Sequence, residues 1–465
     1  MAAQSTVVAP PMLAGATERN GTGAAAQRRV GVWGHFHGRN QGDELVVSVV
    51  IEAIRAHLPE ADIVAISSAP ADTRRRHRVA ALPMAPGDEA PTSSADAQPG
   101  PSRSEPAGRA RSSWAWTARK LRRVQTEFAL LYRAQRGVAG LDLLIVAGSG
   151  QLTDIWGGPL THPWRTFAWA LACRMRGVPY AMLSIGTGPI EAAGSRWLVR
   201  KAVEWASYVS VREPSAARAL RQIGVRRDVP IVPDMAFGWS RDGRQARRDT
   251  SHAAAVVGLN VMAHADSRYW PQGNDRRYRA YIGKLAEVAA RLIEDGHAVR
   301  LFSSHLTADR GAAEDVERLV RDRLGYDGDD RLIRAPVDGL DDLLREVEAC
   351  DFVIACRFHS VLLPLKLGRP TIGLAYQAKT YDLMALLGQS AFCMDIDDFT
   401  VDELHDRFLH LRAGGDIVSR RLAQRVPLLR EEVENQFTSV LAELAGPVPA
   451  GAHEDGTAGL AKPVH

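Results

Sequence analysis

The strongest constraint on the fold is a repeating pattern of short apolar runs. Each run is followed by a glycine-rich or polar turn and then by a stretch with helical spacing. Parallel strands need long crossover connections, which are usually helices, so this alternation favours parallel sheets with helices on both faces. We therefore predict an α/β protein with mostly parallel sheets in two Rossmann-like domains that face a cleft.

The apolar runs form two sets, separated by a polar stretch at 240–253. The first set lies at 29–33, 61–66, 141–147, 180–185, 208–211 and 230–232, and the second at 255–261, 298–303, 331–335, 351–355 and 370–374. A chain of 465 residues has room for two domains of ordinary size. We predict an N-terminal domain at 28–245, a C-terminal domain at 253–398 and C-terminal helices at 399–446.

Three segments lack any hydrophobic period and are predicted to be disordered: tails at 1–27 and 447–465, and an insertion at 84–112. The stretch 114–136 that follows the insertion has helix-like spacing of aromatic, aliphatic and arginine residues. We expect an amphipathic helix that packs on its own domain, with docking to a membrane or a partner as the alternative.

Composition excludes several classes of protein. The net charge of +4 comes without the aromatic and basic pattern of a nucleic-acid-binding module, so no nucleic acid partner is expected. The four cysteines show no CxxC spacing, and His35 and His37 lack a third metal ligand, so we predict reduced thiols and no metal. No signal peptide or membrane span is evident, which predicts a cytoplasmic protein, with peripheral contact at the inner face of the membrane as an alternative.

Ligands of open α/β sheets bind beyond the carboxyl ends of the strands, so the residues that follow the strands are the candidates for ligand contacts. In the first domain these ends carry groups that suit helix capping or anion binding through backbone N–H groups. The candidates for loop contacts are Asn40, Gly42, Asp43, Gly148, Gly150, Gly186, Gly188 and Asp234. Neither GxGxxG nor a P-loop is present, so the nicotinamide-dehydrogenase and P-loop interpretations lose their main support.

Cationic residues follow three further strands. Arg212 ends one strand before Pro214, and its guanidinium could bind a carboxylate or phosphate through paired hydrogen bonds. Arg357 and His359 follow a buried strand of the second domain, and Lys379 follows the next. We expect these groups to form a site for an anion and a proton donor.

The order of these motifs resembles the polysaccharide pyruvyl transferase family. The matching stretches are Asn40-Gln41-Gly42-Asp43, Gly148-Ser149-Gly150 with Asp154, Gly186-Thr187-Gly188-Pro189, Arg212-Glu213 with Ser215, 233–237, Arg357-Phe358-His359 and 376–379. The chain departs from the family pattern at Glu213 for Asp, Ser149 for Gly, and Gln377-Ala378 for Asp-Pro.

The resemblance implies a GT-B-like fold and an enzyme that uses phosphoenolpyruvate as donor without a redox cofactor. It implies donor-binding or catalytic roles for Arg212, His359 and Lys379, with Arg357 in support. The expected reaction moves pyruvate onto hydroxyls of a sugar in a surface polysaccharide or its precursor. The acceptor is therefore a saccharide, and it could be lipid-linked. His359 is the candidate acid, and His359 itself, Asp43 or Asp234 is the candidate base.

Two other functions stay open from the sequence. One is a GT-B-like glycosyltransferase that uses a nucleotide sugar, for which Asp309 and Glu314 would be the nearest candidates to bind ribose. The other is a non-catalytic sugar-binding or assembly protein that keeps the fold. The presence of Arg357, His359 and Lys379 argues against the second alternative.

Overall fold

A computed structural model of the protein describes residues 27–34, 39–86, 88, 113–155, 157–240, 254–270, 272–325, 330–334 and 336–445. Nearly all of the two tails and of the insertion predicted at 84–112 lies outside these residues, as do His35 and His37.

The first domain contains a six-stranded sheet in which every pair of neighbours is parallel. Its strands are β1 (Arg29–Trp33), β2 (Asp62–Ser67), β3 (Ala80–Pro83), β4 (Leu143–Ala147), β5 (Tyr180–Ile185) and β6 (Tyr208–Val211). The strand order is β3-β2-β1-β4-β5-β6, so the direction in which successive strands are added to the sheet reverses between β1 and β4. In a doubly wound sheet, the crevice beyond this switch point is where ligands bind.

The second domain repeats this topology. Its strands are β7 (Val256–Asn260), β8 (Ala298–Phe302), β9 (Leu332–Arg334), β10 (Phe352–Ala355), β11 (Thr371–Ala375) and β12 (Cys393–Asp395). All are parallel in the order β12-β11-β10-β7-β8-β9, with the switch point between β7 and β10. The predicted fold of two Rossmann-like domains with parallel sheets is confirmed.

Helices cover both sheets. Those of the first domain are α1 (Gln41–His57), α2 (Pro70–His77), α3 (Ser113–Gly137), α4 (His162–Arg176), α5 (Ala193–Trp205) and α6 (Pro214–Gln222). Those that follow are α7 (Asp275–Glu294), α8 (Arg310–Leu324), α9 (Leu340–Glu348), α10 (Phe358–Lys366), α11 (Ala378–Leu386), α12 (Val401–Ala413) and α13 (Gly415–Ala445). The central strands β4 and β5 are buried along their whole length, which explains why they read as continuous apolar runs.

The run at 230–232 was predicted as a strand, and this was wrong. It forms a single parallel bridge between Val211 and Ile231 beside β6. Pro230 and Pro233 flank it, and proline has no N–H with which to extend a hydrogen-bonded ladder. Two short strands, β3 and β12, were missed because each has only three or four residues at the edge of its sheet.

The long helix α13 packs against the first domain although it follows the second in sequence. Its Val433 lies near Gly238, which ends a 3₁₀ turn at Met235–Gly238. Its buried Gln436 donates to the hydroxyl of Ser184 at 3.1 Å and accepts from Tyr208 at 3.3 Å. The helix therefore supplies polar contacts to the interior of the first domain.

Candidate active site between the domains

The carboxyl edges of the two sheets are held together by backbone pairing. The N–H of Gln41, at the start of α1, donates to the carbonyl of Ser304 at 3.0 Å, and that of Leu306 donates to Arg39 at 2.8 Å. Asn40 and His305 thus form an antiparallel bridge across the domains. The loops beyond β1 and β8 therefore meet, and the candidate residues of both domains face one cleft.

The first cleft loop turns directly into α1. The side chain of Asn40 accepts a hydrogen bond from the N–H of Gly42 at 3.2 Å and donates to Asp43 at 2.8 Å. Asn40 is therefore the N-cap of the helix, as the sequence suggested, with the acidic Asp43 in its first turn.

His359 lies in the first turn of α10 and packs directly on that loop. A Cβ on Gly42 would lie 2.1 Å from the Cγ and Nδ1 atoms of the His359 ring, so only glycine leaves room for the imidazole. The side chain is 7% exposed, and its Nε2 has no hydrogen-bond partner among the described residues. This Nε2 lies 3.6 Å from Oδ2 of Asp234. His359 is thus a buried imidazole beside a carboxylate, with one nitrogen uncommitted.

Asp234 connects several parts of the site. One carboxylate oxygen accepts the N–H of Ala236 at 2.8 Å, which caps the 3₁₀ turn, and the other accepts Nη1 of Arg212 at 2.7 Å. Burial alone would raise the pKa of Asp234, but the nearby His359 ring and Arg212 guanidinium hold it well below its usual range. Asp234 is therefore an ionised carboxylate that both caps a turn and lines the cleft.

Arg212 is almost wholly enclosed. Its Nε donates to Glu213 at 2.8 Å, its Cζ lies 4.1 Å from the centre of the Phe358 ring, and Gly186 packs against the guanidinium on the side of the first domain. Burial would lower its pKa, yet the carboxylates of Glu213 and Asp234 raise it, so the charge persists. The structure places Arg212 beside His359 as expected, but with two of its nitrogens already bonded to carboxylates.

Glu213 was noted in the sequence only as a departure from the family pattern, and its place in the site was missed. Its side chain is 3% exposed, and its Oε1 has no hydrogen-bond partner among the described residues. Burial raises its pKa, while Arg212 and Lys379 act in the opposite direction. The one available signal was its position next to Arg212 at a strand end.

Lys379 lies in the first turn of α11, beside two aromatic rings. Its Nζ is 6.0 Å from the centre of the Phe358 ring and 5.5 Å from that of Tyr376, distances typical of weak cation–π contacts. No ion pair to Lys379 exists within the residues that the structure describes. Unlike Arg212, it therefore presents an ammonium group without a carboxylate partner.

Arg357, the N-cap residue of α10, has a different environment. Its Nε and Nη2 donate to both oxygens of the fully buried Asp309, at 2.8 and 2.6 Å. Burial would lower the pKa of Arg357, and Asp309 raises it above its usual value. Arg357 thus lies two residues before His359 in sequence, but its guanidinium joins the start of α10 to the loop after β8.

Most glycines of the glycine-rich turns lie where the backbone packs closely against neighbouring atoms. A Cβ on Gly148 would lie 2.3 Å from the carbonyl oxygen of Ser184, and one on Gly188 would lie 2.7 Å from Oγ1 of Thr153. Gly150 differs, because a Cβ there would meet nothing within 4 Å. Gly148 and Gly188 are therefore required for backbone approach, whereas Gly150 is the one with free space beside it.

Asp154, the acidic residue of the second family motif, acts as a cap. Its carboxylate accepts N–H groups of Glu191 and Ala192 at 2.9 to 3.1 Å, at the beginning of α5. Burial would raise its pKa, but these N–H donors lower it. The motif thus ties the loop after β4 to the loop after β5.

Comparison with known proteins identifies the family. Residues 40–378 match polysaccharide pyruvyl transferases, which is well over half of the chain. The match includes Arg212, Asp234 and His359 and ends one residue before Lys379. The chain belongs to the polysaccharide pyruvyl transferase family. Membership makes it a transferase of polysaccharide biosynthesis, and it accounts for the shared order of motifs around His359.

Solved structures show the same fold at low identity. S. aureus MnaA in complex with UDP matches with a TM-score of 0.53 and 12% identity, covering 90% of this chain and 97% of that one. The UDP-GlcNAc 2-epimerase of Neisseria meningitidis bound to UDP-GlcNAc gives 0.54 and 10%, covering 90% and 100%. The glycosyltransferase SnogD of Streptomyces nogalater gives 0.50 and 13%, again covering 90% and 100%. This pyruvyl transferase family member therefore has the two-domain GT-B-like architecture.

Proposed function

We propose that this chain moves pyruvate from phosphoenolpyruvate to two hydroxyls of one sugar in a surface polysaccharide or its precursor, forming a pyruvate ketal with release of phosphate. One observation carries the proposal: the buried His359 has an uncommitted Nε2 that lies 3.6 Å from Asp234, in a cleft that also holds a cation without a carboxylate partner among the described residues. An acid and a cation are what an anionic enol phosphate requires.

Lys379 is the best placed group to bind the donor directly. Its ammonium has no carboxylate partner among the described residues, so it is available for the phosphate or carboxylate of phosphoenolpyruvate. Arg212 is held by Glu213 and Asp234, and it contributes a fixed positive charge near the donor. We assign Arg357 a supporting part, because its pair with Asp309 fixes the helix start that carries His359.

The proposed chemistry begins with a proton transfer. His359, as imidazolium, gives the proton on Nε2 to the methylene carbon of phosphoenolpyruvate, and the central carbon becomes oxocarbenium-like. A sugar hydroxyl attacks that carbon and gives its proton to Asp43, from which it passes to the departing phosphate. Phosphate leaves with the electrons of its C–O bond, and the second hydroxyl then attacks the same carbon and closes the ketal. This second hydroxyl gives its proton to the neutral His359, which restores the imidazolium. The ionised Asp234 stabilises the imidazolium that starts the cycle.

Asp43 fits the role of base better than Asp234. Asp234 holds Arg212 and the N–H of Ala236, and its lowered pKa makes it a weak proton acceptor. Asp43 is half-buried at the first cleft loop, near enough to Arg212 to interact with its charge, and bonds to Asn40. No further cofactor enters this proposal, because phosphoenolpyruvate is itself the donor.

The test is to incubate the protein with phosphoenolpyruvate and a panel of free and lipid-linked glycosides. We expect phosphate release matched by addition of pyruvate to one glycoside, detected by mass spectrometry. His359→Ala should still be stabilised thermally by phosphoenolpyruvate yet release no phosphate, whereas Lys379→Ala should lose that stabilisation. Near-normal turnover by His359→Ala would remove it from the mechanism, and stabilisation by UDP-sugars alone would overturn the donor assignment.

The second domain offers little support for the alternative of a glycosyltransferase that uses a nucleotide sugar. Of its two candidate ribose ligands, Asp309 is fully buried and bonded to Arg357, and its Oδ1 also accepts the N–H of Ala263. Glu314 is paired with Arg334 on the surface. Asp309 is therefore committed to partners within the protein and is not available to a ribose, which favours phosphoenolpyruvate as the donor.

A further inference from the structure

The three most exposed large hydrophobic side chains of the described residues lie on two neighbouring helices. Phe128 and Tyr132 of α3 are 68% and 65% exposed, and Met175 of α4 is 67% exposed, whereas the other exposed large hydrophobics range from 38% to 50%. Scattered apolar residues on a surface need no explanation, but a cluster of this kind marks an interaction site.

Polar contacts join these side chains into one surface. Nε2 of Gln135 donates to Sδ of Met175 at 3.2 Å, and Nε of Arg176 donates to the amide oxygen of Gln135 at 3.2 Å. The guanidinium of Arg136 lies 5.9 Å from the centre of the Tyr132 ring. Phe128, Tyr132, Arg136, Met175 and Arg176 are called the α3/α4 patch below.

The patch is not used for packing within the domain. The opposite face of α3 buries Leu130 at 3% and Ala134 at 0% exposure, and a Cβ on Gly137 would lie 2.6 Å from the Trp169 ring of α4. These contacts already attach α3 to its neighbour. Phe128 and Tyr132 therefore remain in solvent although the part of the helix with described side chains, 125–137, packs against its neighbour.

The two helices are strongly basic. Helix α3 contains six lysine or arginine residues and a single acid, Glu127, and α4 contains three arginines and no acid. A second copy of the same surface would bring like charges together, which disfavours self-association. Nucleic acid would match the charge but offers no apolar layer for phenyl and thioether groups in solvent. An anionic lipid surface satisfies both features.

We infer that the α3/α4 patch docks on an anionic lipid bilayer, with Phe128, Tyr132 and Met175 at the level of the headgroups and Arg136 and Arg176 against lipid phosphates. Helix α4 follows the carboxyl end of β4 and ends before β5 begins, so Met175 near its end lies at the sheet edge opposite the cleft. Docking therefore leaves the cleft open. No described helix is long and apolar enough to cross a bilayer.

The test is cosedimentation of the full chain with lipid vesicles. We expect binding to phosphatidylcholine vesicles that contain about 30% phosphatidylglycerol, weak binding to pure phosphatidylcholine, and loss of binding at an ionic strength of about 0.5 M. The double variant F128S/Y132S should bind anionic vesicles about tenfold more weakly, and R136E/R176E should behave alike. Leu428→Ser removes a side chain that is 50% exposed on α13, and it should bind as the unaltered chain does.

Folding and competing partners are checked with the same proteins. The four side chains changed in the two double variants are on the surface, so the melting temperatures of these variants should differ from that of the unaltered chain by no more than a few degrees. Equal vesicle binding by F128S/Y132S would overturn the inference. Failure of the unaltered chain to bind anionic vesicles would also overturn it. If light scattering then shows a dimer that F128S/Y132S dissociates, the patch is an interface between two copies of the chain. Binding to a short DNA duplex as tight as that to vesicles, unchanged in F128S/Y132S, would also overturn it.

Discussion

Gly42 and His359 belong to different domains, yet the backbone of the glycine rests against the imidazole ring. A methyl group added at Gly42 would lie 2.1 Å from two ring atoms, well inside contact distance. The position of the proposed acid is therefore set by the first domain, although the second domain carries it. The contact between the domains at this point and the position of the acid therefore depend on the same two residues.

Gly42→Ala should displace the ring or separate the domains at this point. Displacement of a catalytic group by about 1 Å can lower a rate about 100-fold, so we expect a loss of kcat of that order in the pyruvyl transfer assay. Gly150→Ala is the matched control, because a Cβ there meets nothing within 4 Å, and it should stay near normal. Equal activity of both variants would show that the Gly42 contact has no influence on the reaction.

Asp234→Asn should destabilise the protein. It takes one of two carboxylates from the buried Arg212, and breaking a buried pair lowers the free energy of unfolding by about 3 kcal/mol. Because the pKa of Asp234 is lowered from 3.8 in the folded state, its contribution is fully present above pH 3.8 and is lost as pH falls through the lowered value. Urea unfolding at neutral pH and near pH 3 would check this, and a difference between the two proteins that grows on acidification would contradict it.

The variant Arg357→Lys distinguishes a supporting role of Arg357 in the structure from direct contact of Arg357 with the substrate. Lysine cannot reproduce the paired hydrogen bonds to Asp309, so we expect a lower melting temperature and a free energy of unfolding reduced by about 2 kcal/mol. With His359 still in place, kcat should fall far less than in His359→Ala. A large loss of kcat/KM at unchanged melting temperature would instead mean that Arg357 touches the substrate.

Lys366 is a buried cation at the end of α10. Its Nζ donates to the carbonyl of Phe237, and burial, with Arg430 adding to the effect, lowers its pKa to about 7. Below pH 7 the lysine is charged in both states, and the folded state carries the penalty of burying that charge. Between about 7 and 10.5 the unfolded chain holds a proton that the folded chain has released, so stability rises with pH.

Lys366→Met removes this titration and provides the measurement. Relative to the unaltered chain, the variant should be most stable near pH 6.5, and its advantage should shrink by a few kcal/mol near pH 9.5. Chemical unfolding of both proteins at the two pH values would report the difference. A difference that does not vary with pH would mean that Lys366 does not change its charge in this range.

The fold was largely predictable because its signals are local. Apolar runs and glycine-rich turns alternate along the chain, and the carboxyl ends of parallel strands must share one edge, which brought Arg212, His359 and Lys379 to the cleft. The choice of partners was not predictable, since Arg212 bonds to an aspartate 22 residues away and Arg357 to one 48 residues away. Periodicity carries no information on such pairs. The sequence therefore did not distinguish Arg212, which is bonded to two carboxylates, from Lys379, which has no carboxylate partner among the described residues.

The contact of Gln436 with Ser184 and Tyr208 has a consequence for synthesis of the protein. During translation, the strands of the first domain leave the ribosome long before α13 does, and the side chain that completes their polar interior is still missing. The nascent first domain must therefore wait for the second to be made before it reaches its final form. The same delay keeps the cleft unassembled until both halves of the enzyme exist.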